Sequence, residues 1–144
     1  MNQTSSNKLE LEIFVSEPAE INLTSVLIMG PTEMMVVCAQ ATKSAVNRLA
    51  DVIESKNKKL SYIFLTHPHF DHHLGASMLI NRFPEARFIA TPEVARLQRV
   101  RHPYDAGFAQ QSLGENTAEP SMPVEDYRED TITIDGETIE IWKD

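Results

Sequence analysis

The 144-residue sequence predicts an α/β fold. Two patterns carry that expectation. From residue 34 onward, apolar runs of strand length alternate with amphipathic stretches of helical length, the order that lays helices on a sheet. Where one of these runs gives way to the next helix, four of the five histidines and one carboxylate crowd into Thr66-His67-Pro68-His69-Phe70-Asp71-His72-His73. The length suits a single domain over residues 1–144, able to bury about 70% of the surface its unfolded chain exposes.

Taken in order, residues 1–8 are polar and are expected to fray. Leu9, Leu11, Ile13 and Val15 alternate with Glu10, Glu12 and Phe14, which reads as a half-buried strand. A second strand spans residues 23–29, and Gly30-Pro31-Thr32 supplies the turn. Residues 34–39 are nearly all apolar and predict a strand covered on both faces. Thr42 offers an N-cap, and Ala45, Leu49, Val52 and Ile53 follow at helical spacing opposite Lys43, Arg48, Asp51 and Glu54, so residues 42–56 form an amphipathic helix. Lys56-Asn57-Lys58-Lys59 is a solvated turn.

The strand over residues 60–65 delivers the histidine window, and a helix over residues 73–83 ends before Pro84. Residues 87–90 give a further strand. Pro92 opens a helix behind Thr91 as its cap, and His102-Pro103-Tyr104 is expected to break that helix. Residues 108–113 are again helical, and residues 115–129, with Pro120 and Pro123, read as a long solvated connection. Thr131, Ile132 and Ile134 and then Thr138, Ile139 and Ile141 flank Asp135-Gly136, a hairpin signal.

The composition, 42% hydrophobic and 24% charged, is that of an ordinary globular protein and excludes a disordered or fibrous chain. A net charge of −8 without a basic run argues against nucleic acid and anionic membranes as partners, because phosphate binding needs clustered Lys and Arg. No apolar leader and no membrane-length apolar run is present, and Cys38, as the one cysteine, has no intrachain disulfide partner; the cytoplasm is the expected location.

A lone histidine is usually a core or surface residue. Four in one window, behind Tyr62-Ile63-Phe64-Leu65 and ahead of Gly75-Ala76, point instead to a metal, for which imidazole and carboxylate are ordinary donors. Residues two apart on an extended segment project to one side, so His67 and His69 can converge on one ion. Asp71 and His72, past the helix entrance, can address a second ion about 3.5–4 Å away.

His67, His69, Asp71 and His72 in the pattern H-x-H-x-D-H resemble the signature of the metallo-β-lactamase superfamily of metallo-hydrolases. The resemblance runs from about residue 22 to residue 91, with a weaker echo in the last strands. It implies an αββα sandwich whose metal site, most often zinc, lies at one edge of the paired sheets and hydrolyses substrate through metal-bound hydroxide. His67 and His69 would serve the first metal and Asp71 and His72 the second, with Asp71 also helping to position the nucleophile. Substrates in reach are a small ester, lactone, thioester, β-lactam or phosphoester.

In that family the third histidine of the first metal, the bridging carboxylate and a further histidine lie beyond the last strand seen here, so the sequence resembles the N-terminal half of the fold plus a following hairpin. A catalytic zinc keeps three protein ligands, and two per metal are found. His102 is expected at the surface rather than on the metal. Cys38 stands where the family generally has an Asp supporting the metal loop, and it is expected to be buried and inert. His73 is expected to pack or face solvent without a role in the site. Two alternatives stay open: an inactive metal-binding fragment needing a partner chain or a homo-oligomer to cover its sheet, and an iron-dependent dioxygenase of the same fold. Of the iron branches, a persulfide dioxygenase or a flavodiiron-type oxygen reductase, His69 speaks against the flavodiiron pattern, which has an acid there, and iron content would favour the dioxygenase.

Overall fold

The computed structural model describes residues 9–143; the expected fraying of residues 1–8 lies outside them. Strands β1 (Glu10–Val15), β2 (Thr24–Met29) and β3 (Glu33–Val37) form an antiparallel meander, and β4 (Lys59–Phe64), β5 (Arg87–Ala90) and β6 (Glu125–Asp126) extend it in parallel. The sheet order is β1-β2-β3-β4-β5-β6. Parallel neighbours need long crossovers. These are α1 (Lys43–Ser55), the pair α2 (Phe70–His73) and α3 (Ala76–Arg82), and α4 (Pro92–Leu113).

All of these helices contribute to a core on one face of the sheet. Leu49 and Ile53 of α1 and Leu79 of α3 bury against Leu27, Met34, Val36 and Ile63 of the central strands. Thr42 caps α1 as the sequence predicts, its Oγ1 accepting from Ala45 N at 3.3 Å. The opposite face carries the hairpin β7 (Thr131–Ile134) and β8 (Glu137–Glu140), whose Ile132 and Ile134 pack on Met35 and Ile89. Its turn has positive φ at both Asp135 (50°) and Gly136 (82°), the geometry of a tight two-residue hairpin. The Asp135 carboxylate accepts from the amides of Thr32 and Glu33, at 2.8 Å each, and so pins the hairpin to the sheet. Gly30 makes this approach possible, because a Cβ there would sit 2.2 Å from Asp135 Oδ2.

Four expectations need correction. The aliphatic side chains of β1 are not its buried face: Leu11, Ile13 and Val15 are 69%, 65% and 55% exposed, while Phe14 packs on the helical side. The alternation is real, but nothing in the described chain covers that part of the sheet. The helix expected over residues 73–83 is two pieces, α2 and α3, with Leu74 and Gly75 between them. The connection expected over residues 115–129 holds a 3-10 turn, Gly114–Asn116, and the short edge strand β6.

Pro103, finally, does not end its helix. α4 runs through it, although an interior proline costs about 3 kcal/mol in an isolated helix. Anchors on both sides outweigh that loss. Gln98 bonds the chain at Met122 O and Val124 N, and Asp105 bonds His73.

Outside the core, the buried Glu20 fastens the β1–β2 connection to α1. It takes Arg48 in a two-pronged ion pair at 2.6 and 2.7 Å and also accepts from the Ser44 hydroxyl. The Arg48 hydrogen bond, chiefly, holds its carboxyl down from 4.5 to about 2. A depressed folded pKa stabilises above the unfolded value and loses that contribution on acidification. Urea denaturation is therefore expected to show about 2–3 kcal/mol from Glu20 at neutral pH, fading between pH 4.5 and 2 and absent in Glu20→Gln.

Candidate metal centre

β4 ends at Phe64, and the chain crosses the sheet edge through Leu65 and Thr66 before His69 opens α2. A single helical turn does not hold itself, since nucleation is unfavourable and few backbone bonds form. Contacts from residues 38–40 hold this one. The amide of Ala39 donates to His72 O at 2.9 Å and that of Gly75 to Gln40 O at 3.0 Å, while Cys38 N bonds Phe64 O at 2.9 Å. Cys38 and Gln40 adopt positive φ, 71° and 72°, a region costly for residues with a Cβ. This backbone strain lies directly beneath the histidine window.

Gly75 lets the two segments meet. A Cβ at that position would lie 2.2 Å from Ala39 O and 2.4 Å from a Val46 methyl, so glycine is required here for space rather than for its dihedral freedom.

The window gathers the predicted donors. The His67 ring lies 5.1 Å from that of His72 and 6.3 Å from that of His69, centroid to centroid. His72 Nε2 stands 3.7 Å from Asp71 Oδ1. Two donors on one tetrahedral zinc, with bonds near 2.1 Å, are separated by about 3.4 Å, so this pair faces a common space at close to bridging distance. Burial, chiefly, keeps the His72 imidazole below its ordinary pKa, against the opposing pull of Asp71, so the ring is neutral at pH 7 and can act as a ligand. Among the described residues, however, no three His, Cys, Asp or Glu side chains already converge at metal-binding spacing. In donor chemistry the window fits zinc; in geometry it offers pairs.

Cys38 Sγ lies 3.3 Å from His72 Nδ1 and 3.4 Å from Thr66 Oγ1. When Nε2 serves as a metal donor, the proton sits on Nδ1 and the sulfur becomes its acceptor, a contact that would hold the ring plane. Burial raises the Cys38 thiol above its ordinary pKa, with the Asp71 charge adding, so it stays protonated and unreactive at neutral pH. Buried it is, as expected, but it supports His72 rather than merely filling space.

His102 is half-buried on α4 with Nδ1 3.0 Å from Ser121 Oγ, away from the window's donors. His73, which the sequence left without a role, is fully buried and bonded through Nε2 to Asp105 Oδ2 at 2.7 Å. Sequence reasoning missed Asp105. It lies 32 residues from His73, in a stretch whose proline reads as a break, so no local pattern marks it. Beside Thr66 opens a groove of about 740 Å³, lined by Val37, Phe64, Leu65, Thr91, Ile139, Ile141 and Trp142.

Residues 39–141 match the family model of the metallo-beta-lactamase superfamily. The chain belongs to that superfamily. The mixed sheet with helices on one face corresponds to part of the superfamily's sandwich, and solved structures bear out the fold. A metallo-beta-lactamase of Cronobacter sakazakii, a HARLDQ-motif mutant, is 24% identical at a TM-score of 0.60, with 86% of this chain and 47% of that one covered. The native FEZ-1 metallo-beta-lactamase of Legionella gormanii is 16% identical at a TM-score of 0.62, covering 88% and 47%. MEM-A1, a subclass B3 metallo-beta-lactamase from a soil metagenome library, is 21% identical at 0.57, covering 82% and 45%. The chain thus spans about half the length of these structures. Among curated proteins, none matches it. Among the described residues, no helix is long and apolar enough to cross a membrane.

The close approach at Gly75 gives a direct check on this architecture. Gly75→Ala is expected to lower stability by about 1–3 kcal/mol in urea denaturation, because the atoms a methyl would meet are backbone and a core valine.

Proposed function

We propose that this chain carries the metal-binding loop of a zinc-dependent hydrolase acting on a small ester, lactone, thioester, β-lactam or phosphoester. The observation that carries the reading is the set His67, His69, Asp71 and His72 on the loop and single-turn helix after β4, with Asp71 and His72 3.7 Å apart. His67 and His69 would hold one ion, and Asp71 and His72 a second. Zinc held by these residues would supply Lewis-acid chemistry and a water acidic enough to act as nucleophile at neutral pH. Asp71 orients the attacking water by accepting its hydrogen bond, and Cys38 keeps the His72 ring plane fixed. A small-molecule substrate fits the net charge of −8 better than a polyanion does.

A second reading is favoured by the open sheet face. Leu11, Ile13 and Val15 form an exposed apolar stripe beside β2, whose Ile28 pairs with Leu11 and lines the groove, and patches of this kind mark surfaces that another layer covers. On that reading the loop binds metal but acts only when further donors come from whatever covers the face, a homo-oligomer included.

Elemental analysis of the purified protein separates the outcomes. One or two zinc ions per chain are expected, lost in His67→Ala and in Asp71→Ala and retained in Cys38→Ser. Iron in place of zinc would favour an oxygen-using relative, and no retained metal would refute the reading. Hydrolysis of a thioester, a lactone, a β-lactam and a phosphodiester, assayed with zinc added, then tests which substrate class is turned over.

A further inference from the structure

We propose that the buried pair His73–Asp105 is a positioning clamp for the metal loop, holding the one-turn helix that carries Asp71 and His72 at a fixed rotation against α4. The geometry stands on its own; only its consequence for metal affinity rests on the function proposed above.

Three observations carry it. His73 follows His72 directly and is fully buried, and its ring bridges α2 to α4. Both ring nitrogens have partners: Asp105 Oδ2 at 2.7 Å from Nε2, and Gln98 Nε2 at 3.4 Å from Nδ1. The Gln98 amide nitrogen is a donor only, so Nδ1 accepts and Nε2–H donates to Asp105, one tautomer satisfying both ring nitrogens. Gln98 is itself held at Met122 O and Val124 N, which ties the clamp to the segment leading into β6. Phe70, at the other end of the same helical turn, meets Phe108 of α4 edge to face at 5.5 Å, so α2 is gripped by α4 at both ends. An apolar pair of equal volume would fill the site without the cost of burying a carboxylate, but it would not fix direction. Direction matters here. Rotation of so short a helix swings Asp71 and His72 away from a common point, and support of this kind governs metal affinity through side chains that never touch the ion.

Hydrogen exchange of the metal-free chain, read by mass spectrometry over residues 66–75, tests the clamp. In the double variant His73→Phe with Asp105→Leu, which keeps the volume apolar and leaves no charge unpaired, exchange over residues 70–75 is expected to speed at least about tenfold while the thermal midpoint and exchange elsewhere hold. Asp105→Asn, whose Oδ1 still accepts from Nε2–H, is expected to keep the wild-type rate. With zinc alone as probe, chelator competition is expected to give a dissociation constant raised at least about tenfold in the double variant and nearly unchanged in Asp105→Asn. Should the double variant not fold, Asp105→Ser replaces it with the same expected loosening. Wild-type exchange in the double variant, or in Asp105→Ser where that replaces it, or a rise spread over the whole chain, overturns the clamp. Local loosening in the double variant, together with no zinc uptake by the wild-type chain, sinks the metal reading and leaves the clamp standing.

Discussion

Everything at the histidine window depends on how a four-residue helix is held in place, because so short a helix has no stability of its own. The strained segment at residues 38–40 supplies the answer from below, with an amide to His72 O and a carbonyl to the Gly75 amide. From the side, α4 supplies it through Asp105 and Phe108. The sheet fixes residues 38–40, since Cys38 leaves β3 bonded to the end of β4. A chain of backbone bonds thus runs from the core of the sheet to the atoms proposed to meet a metal.

The same dependence explains which features the sequence reveals. Helical periodicity marks α1, and short apolar runs mark β2 to β5, whose alternate side chains bury into clusters on the two faces of the sheet. The metal loop is legible because its donors are contiguous: His67 to His72 need only a turn to meet. Cys38 is legible as an oddity through the family resemblance, though its contact with His72 needed the structure. His73 and Asp105 were not legible, since their meeting depends on α4 continuing through Pro103. Local chemistry reads that proline as a stop, and tertiary anchors at Gln98 and Asp105 override it. The buried face of β1 failed for a related reason: alternation says that one face is apolar, but what lies on it is a property of the assembly.

The two faces of the sheet divide the molecule's tasks. On the helical face the packing is complete, and Glu20–Arg48 and the caps finish it. Across the sheet the hairpin is seated through Asp135 on Thr32 and Glu33, and among the described residues an apolar stripe on β1 and a groove reaching Thr66 remain open. Membership of the metallo-beta-lactamase superfamily and a length about half that of the matched solved structures agree with that division. Stability therefore resides in the closed face, and the proposed chemistry lies at the margin of the open one.

The central claim is that the loop's own imidazoles and carboxylate take up zinc while Cys38 supports His72 without joining them. Zinc-edge X-ray absorption of the zinc-loaded chain tests it most directly. The account predicts a first shell of nitrogen and oxygen only, near 2.0–2.1 Å, with imidazole outer-shell scattering that is lost in His67→Ala. A sulfur scatterer at about 2.3 Å would make Cys38 a ligand and contradict the account.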